Sequence, residues 1–122
     1  MEKPKFDYLV RPNGEIPFED FLKSLPKKDM IKFLGIIQDT EDFGLSVAIR
    51  MKWVKKLDDN LFELRSKRSS NIQRAIYFHY YDDRFIITHG FTKKTQNTSR
   101  KEINQAIRLR KEFQEGVDDI EN

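Results

Sequence analysis

Apolar and polar residues alternate with a period of two along three consecutive runs in the second half of the chain, residues 61–66, 72–81 and 84–91. Such alternation, with many β-branched and aromatic residues, is typical of half-buried strands. Asp82 and Asp83 predict a tight hairpin between the last two runs, so the spacing favours an antiparallel meander. Residues 6–10 alternate in the same way and predict a short strand that ends at a turn.

The third run carries the most polar chemistry, because it ends in two adjacent lysines. A strict period of two divides its side chains between the two faces of the strand. We expect one face to hold Phe85, Ile87, His89, Phe91 and Lys93, and the other to hold Ile86, Thr88, Gly90, Thr92 and Lys94.

Helical spacing appears in the first half of the chain. Apolar residues at 18, 21, 22 and 25 lie between Pro17 and Pro26 and predict a short helix. Those at 30, 33, 34 and 37 predict a second helix over residues 27–42, with Gly44 as its C-terminal cap. The two form an N-terminal helical hairpin. Residues 45–60 predict irregular or extended structure.

The last predicted element is an amphipathic helix with a basic outer side. Ser99 and Glu102 form the capping box that starts it, and residues 103, 106, 107 and 113 form its apolar face. We expect Gly116 to end the helix and residues 115–122 to form an acidic flexible tail.

A length of 122 residues with a hydrophobic fraction of 38% indicates one domain, residues 1–122, with a modest core. The chain has no cysteine, and its two histidines lack carboxylates at ligand spacing. We therefore expect no disulfide, no metal site and no cofactor. Neither a signal peptide nor an apolar run of ~18 residues is present, so we expect a cytoplasmic protein with no membrane partner.

The net charge of +3 hides a gradient along the chain. Residues 1–49 hold seven Lys and Arg against nine Asp and Glu, residues 50–113 hold sixteen against seven, and residues 114–122 hold none against four. A basic block within a folded segment favours an anionic partner, nucleic acid first, because neutralising phosphates releases counterions. A solvated basic face is the alternative.

Two arginines lie inside predicted strands. Antiparallel pairing brings Arg65 and Arg74 close together and near Lys93. A guanidinium fork matches the oxygens of a phosphate, so three such cations on one concave surface could stabilise a phosphorane-like transition state. An ion pair between Arg65 and Glu63 is the structural alternative.

Candidate acid–base groups are fewer. His79 and His89 could act because imidazole titrates near neutrality, although a histidine in an apolar strand is more often structural. Tyr77, Tyr80 and Tyr81 could stack on a base or donate a proton, or belong to the core.

Three segments carry a resemblance to a known family: K-K-L-x-x-x-L-F-E-L-R-S from Lys55, R-A-I-Y-F from Arg74, and H-G-F-T-K-K-T-Q-N-T-S-R-K-E-I-N-Q-A from His89. Over residues 56–113 the chain resembles the RelE/ParE toxin superfamily, in particular the HigB-type toxins related to phage-derived proteins. The resemblance implies an α+β fold, in which a small twisted antiparallel sheet is packed by an N-terminal helical hairpin and a C-terminal helix.

The resemblance also implies an endoribonuclease that cuts mRNA, often at the ribosome, and so blocks translation. Similar enzymes use attack of the 2′-hydroxyl on the adjacent phosphate, without a metal. The expected partner is a HigA-like helix-turn-helix antitoxin. The chain is expected to contact operator DNA only indirectly, through this antitoxin.

Carried onto this sequence, the resemblance makes Arg65, Arg74 and Lys93 the catalytic residues. It gives no decisive match for the acid or base, for which Tyr77, His89 and the pair Lys55 and Lys56 are candidates. Exposed cations expected to contact RNA are Lys55, Lys56, Lys67, Arg68 and Lys94. Two alternatives stay open: a ParE-like toxin that inhibits gyrase without cutting RNA, and a nucleic-acid-binding module without catalysis.

Overall fold

A computed structural model of the chain describes residues 3–95 and 97–121. The elements are β1 (Lys5–Tyr8), α1 (Pro17–Ser24), α2 (Lys27–Phe43), α3 (Leu45–Arg50), β2 (Val54–Asp58), β3 (Leu61–Arg68), β4 (Asn71–Tyr81), β5 (Arg84–Lys93) and α4 (Arg100–Glu121). Gln96, in the K-K-T-Q-N-T segment, and Asn122, at the end of the predicted tail, lie outside the described residues. The predicted α+β fold is confirmed.

The five strands form one sheet in the order β1-β5-β4-β3-β2. Strands β2 to β5 pair antiparallel as a meander, and β1 joins β5 in parallel at one edge. The sheet is therefore mostly antiparallel, as predicted. The Glu41 carboxylate covers the β1 edge, where it accepts a hydrogen bond from the Phe6 N–H at 2.8 Å.

Each face of the sheet carries its own apolar cluster. Helices α1, α2 and α3 pack on one face, called here the hairpin face, where Phe18, Phe33 and Ala48 have no exposed surface. Helix α4 packs on the other, the α4 face, over Ile76 and Phe78. Because α4 lies mainly on β4 and β5, part of the α4 face on β2 and β3 stays open to solvent.

A β-bulge in β5 overturns the expected arrangement of that strand. His89 pairs with Ile76 and Ile87 pairs with Tyr77, so Thr88 is an extra residue opposite no partner. An extra residue changes the phase of the alternation, because successive side chains point to opposite faces.

The faces of β5 therefore exchange at Thr88. Ile87 belongs to the hairpin-face cluster, whereas Phe91 belongs to the α4-face cluster, and His89 contacts α4. Gly90 faces α1, where an added Cβ would clash with the ring of Phe21. The expectation that His89 and Phe91 share a face with Phe85 and Ile87 is wrong.

Residues 45–60 also differ from the expectation of irregular or extended structure. They form the short helix α3 and the edge strand β2. Gly44, with φ 94°, separates α2 from α3, and Ala48 is completely buried. Tertiary packing of Ala48 thus overrides the alternating pattern that favoured an extended chain.

Helix α4 starts where the sequence predicts. The Ser99 carbonyl accepts the N–H groups of Glu102 and Ile103, both at 3.2 Å. Its end differs, since the helix continues through Gly116 to Glu121. A glycine inside a helix costs about 1 kcal/mol relative to alanine, and the Gln114–Asp118 hydrogen bond at 3.1 Å spans the site and supports the next turn.

No helix within residues 3–95 and 97–121 is long and apolar enough to cross a bilayer.

Candidate functional site

Arg65 of β3 and Arg74 of β4 are directly opposite each other in the sheet. Like charges in this position repel, but Glu63 resolves the repulsion. Its side chain has no exposed surface, and its Oε1 lies 2.9 Å from Arg65 Nε and 3.6 Å from Arg74 Nη1. One buried carboxylate therefore serves two guanidinium groups, and the ion-pair alternative raised for Arg65 is present in the structure.

Arg74 lies in the interior. Its side chain is 0% exposed, Nη1 donates to Thr98 Oγ1 at 2.8 Å, and Nη2 donates to the Thr95 carbonyl. The Thr98 hydroxyl in turn donates to Glu63. Burial lowers the pKa of the Arg74 guanidinium, an effect that Glu63 opposes and Arg65 reinforces.

These contacts change the role that Arg74 can play. The sequence predicts a surface cation that touches a phosphate, but Arg74 is fully buried and its guanidinium bonds to Thr95 and Thr98. These bonds tie the two threonines to the sheet, so Arg74 can position the site but does not reach solvent in this arrangement.

Of the two paired arginines, Arg65 is the one that reaches solvent, because its side chain is 16% exposed. Lys55 pairs with Glu63 from β2 and so lies on the same face, and Lys67 lies two residues along β3. Lys93 pairs with Ile72, which lies two residues before Arg74 in β4, so Lys93 lies on the same face as Arg74. We call Arg65, Lys55, Lys67 and Lys93, with Glu63 and Arg74 beneath them, the cationic site.

The other predicted RNA contacts lie elsewhere. Lys56 is exposed on the edge strand β2 and points opposite to Lys55. Arg68 Nη1 lies 3.1 Å from Asp29 Oδ1 on α2, which holds this side chain on the hairpin face. Lys94 is exposed directly after β5.

Tyr77 is not part of the cationic site. Its side chain is buried on the hairpin face, in contact with the rings of Phe6, Phe62 and Phe85. Burial strongly raises the pKa of its hydroxyl. The structure therefore does not bring Tyr77, a candidate acid or base, to the cationic site, because its ring lies on the opposite face of the sheet from Arg65.

His89 lies on the α4 face but is covered by α4. Its Nε2 is 3.2 Å from Glu102 Oε1 and its Nδ1 is 3.0 Å from Thr88 Oγ1. Burial lowers the pKa of His89, whereas the Glu102 carboxylate raises it and Arg108 lowers it further. The Glu102 side chain predicted to cap the helix thus joins α4 to the sheet. His79 contacts the Asp82 carbonyl in the β4–β5 turn.

His89 should make the stability of the fold depend on pH. The unfolded chain takes up a proton near the ordinary pKa of 6.5, above the lowered pKa of the folded state. The contribution of His89 to the free energy of unfolding is therefore complete above pH 6.5, and it is lost as the pH drops towards the lowered pKa of the folded state. Urea unfolding at about pH 8 and about pH 5.5 should show a smaller pH effect in His89→Gln than in the unaltered protein. Equal pH effects in the two proteins would contradict this role.

Sequence reasoning missed two residues that the geometry brings to the site. Thr98 bridges Arg74 and Glu63, and Trp53 accepts the Arg65 N–H at its carbonyl, at 2.8 Å. The available signals were weak: a threonine inside a polar segment, and a lone tryptophan just before the basic pair.

Among the described residues, no three histidine, aspartate or glutamate side chains come together in a way that could hold a metal ion.

Residues 20–111 match the model of a family described as "Phage derived protein Gp49-like (DUF891)". The match spans 92 of the 122 residues and includes α2, α3, strands β2 to β5 and the first half of α4. Every residue of the cationic site lies within it. No curated protein matches the chain.

Proposed function

We propose that this protein is a HigB-type toxin that cleaves mRNA. The premise is that the chain belongs to the Gp49-like family of phage-derived proteins, a toxin-like family related to RelE- and HigB-type toxins. The observation that carries this proposal is the setting of Arg65. Its guanidinium reaches solvent, is fixed by a fully buried carboxylate, and lies among lysines on an open surface. A protein that only binds a partner gains little from a cation held so rigidly.

The proposed reaction needs no cofactor. The 2′-oxygen of one nucleotide attacks the adjacent phosphorus, and the bond from phosphorus to the 5′-oxygen of the next nucleotide breaks. The products are a 2′,3′-cyclic phosphate and a free 5′-hydroxyl. Negative charge grows on the non-bridging oxygens in the transition state, and a guanidinium fork fixed in advance stabilises that charge.

Arg65 is the group proposed to bind these oxygens. Its Nε lies 2.9 Å from Glu63 Oε1, which fixes the direction of the guanidinium. Glu63 orients Arg65, and Arg74 holds Glu63, Thr95 and Thr98 in place. Glu63 and Arg74 are positioning residues, whereas Lys67 and Lys93 add positive charge along the path of the RNA.

Proton transfer requires a group on the open surface. The 2′-hydroxyl must lose a proton and the leaving 5′-oxygen must gain one. Lys55 and Lys93 flank Arg65 and reach solvent, so we propose that the acid and the base are drawn from them. His89 lies under α4, and Tyr77 lies on the other side of the sheet.

Cleavage is proposed to occur on the ribosome in the cytoplasm, where translated mRNA is presented as a single strand. An open, shallow site with few walls suits a substrate that a larger particle holds in place. We also propose a HigA-like helix-turn-helix antitoxin as the inhibitor, which would carry any contact with operator DNA.

The test is primer extension on cellular mRNA after brief expression of the protein. Discrete cuts within a translated message, absent from the same message without a start codon, support a ribosome-dependent ribonuclease. Growth arrest without cuts supports the ParE-like alternative of gyrase inhibition. Binding to RNA with neither cuts nor growth arrest supports a binding module.

A further inference from the structure

A cleft of about 340 Å³ opens at the edge of β3, next to the cationic site. Strand β2 begins at Val54, and the Trp53 carbonyl accepts the Arg65 N–H just before it. Beyond Arg65 the edge of β3 faces α2 and the turn that precedes β2. Arg65 lines this cleft although its guanidinium lies on the α4 face, so the cleft and the cationic site meet around the open edge of β3.

The rim of the cleft is positively charged. Lys32, Lys52 and Lys67 line it and are exposed, and Lys32 Nζ donates to the Lys67 carbonyl at the open edge. None of the described residues that line the cleft is acidic. Such a rim attracts a polyanion, and the sign of its charge matches that of the cationic site.

The wall of the cleft offers a flat aromatic surface. Trp53 is partly buried, and its backbone is held at both ends, because its N–H donates to the Ala48 carbonyl at 2.9 Å while its own carbonyl accepts from Arg65. The Trp53 side chain also packs against the hairpin-face cluster, which restricts the indole and favours stacking of a planar group on it. Stacking of a base on an aromatic side chain is a principal means by which proteins hold single-stranded RNA.

Ser66 supplies a polar group beneath the cleft. It is 3% exposed, and its hydroxyl has no hydrogen-bond partner within residues 3–95 and 97–121. A buried hydroxyl without a partner is costly, and most such groups in native proteins are satisfied by protein, water or ligand. The edge of a bound base carries both donors and acceptors that could satisfy it.

We propose that this cleft binds one nucleobase of single-stranded RNA, beside the phosphate held by Arg65. The base stacks on Trp53, its edge bonds to the Ser66 hydroxyl, and the rim lysines hold the flanking phosphates. The volume lies at the lower end of about 300–1,000 Å³ for small-molecule sites, which suits a single planar group. The inference rests on the proposed function, which names RNA as the substrate. It makes Ser66 the residue that selects the base.

Trp53 is the only tryptophan of the chain, so intrinsic fluorescence reports on this cleft directly. The purified protein is titrated with 2′-O-methylated hexanucleotides of A, C, G and U, which cannot be cut because the nucleophile is blocked. We expect saturable quenching of the fluorescence, with one base preferred about 3- to 10-fold, the range of one hydrogen bond. Ser66→Ala should abolish the preference. Ser70→Ala, the same change at an exposed position of the next turn, should retain it.

The outcomes separate this inference from the proposed function. If the anisotropy of labelled RNA shows binding but the fluorescence of Trp53 is not quenched, the RNA binds elsewhere. This result overturns the proposal of a base-binding cleft and leaves the proposed function standing. Quenching with the same preference in Ser66→Ala also overturns it. Absence of binding in both assays overturns the cleft, and the proposed function falls with it only when the unaltered protein also leaves ribosome-bound mRNA uncut.

Discussion

Arg65→Ala is expected to lower the rate of mRNA cleavage about 10²–10³-fold, the usual effect of removing one preorganised donor from a transition-state site. The reason is local, since Arg65 is the arginine of the site that reaches solvent, whereas Arg74 is fully buried and bonds to Thr95 and Thr98. Glu63 keeps Arg74 as a partner in this variant, so the fold should persist. The measurement is the intensity of primer-extension products over time with purified ribosomes, together with relief of growth arrest.

Lys111→Ala is the matched control for Arg65→Ala. It also removes one exposed cation and changes the net charge of +3 by the same amount, but it lies on α4 away from the cationic site. Cleavage by this variant should be unchanged. If both variants lose activity equally, general electrostatic attraction explains the effect and the assignment of Arg65 is wrong.

Arg74→Met should lower the free energy of unfolding by about 3–5 kcal/mol, the usual cost of removing one member of a buried ion pair. Methionine fills much of the space, but Glu63 then keeps a buried charge without its second cation, and Thr98 and the Thr95 carbonyl lose their donor. Urea unfolding of the two proteins at one pH measures the change.

A double-mutant cycle with Glu63→Gln distinguishes charge from packing in this result. A neutral amide leaves no buried charge to compensate, so Arg74→Met should cost clearly less in the Glu63→Gln protein than in the unaltered one. Equal costs in both backgrounds would mean that Arg74 stabilises the fold through its contacts with Thr95 and Thr98 and not through Glu63.

Local sequence signals were enough for the helices that start and stop at marked residues. Pro17, Gly44 and Ser99 each mark such a boundary, and the structure has helix boundaries at all three. The segment over residues 45–60 lacked such signals. Its short helix and edge strand depend on burial of Ala48 and on pairing with β3, which are tertiary effects that a linear pattern does not carry.

The bulge at Thr88 limited the prediction of the site in a different way. The pairing of Arg65 with Arg74 follows from hairpin geometry alone, and the sequence predicted it. The face on which His89 and Phe91 lie depends on one extra residue in β5, and the burial of Arg74 depends on its bonds to Thr95 and Thr98, which follow the strand. Neither property leaves a trace in the alternation of apolar and polar residues.

The two edges of the sheet have a consequence for self-association. At β1 the Glu41 carboxylate occupies the Phe6 N–H, and at β2 two adjacent lysines and a bulge at Leu57 interrupt the row of hydrogen-bonding groups. Charges and bulges on edge strands prevent the sheets of neighbouring molecules from joining into aggregates. Lys55, which we propose takes part in cleavage, is one of these edge charges and should therefore also oppose edge-to-edge association of RNA-free molecules.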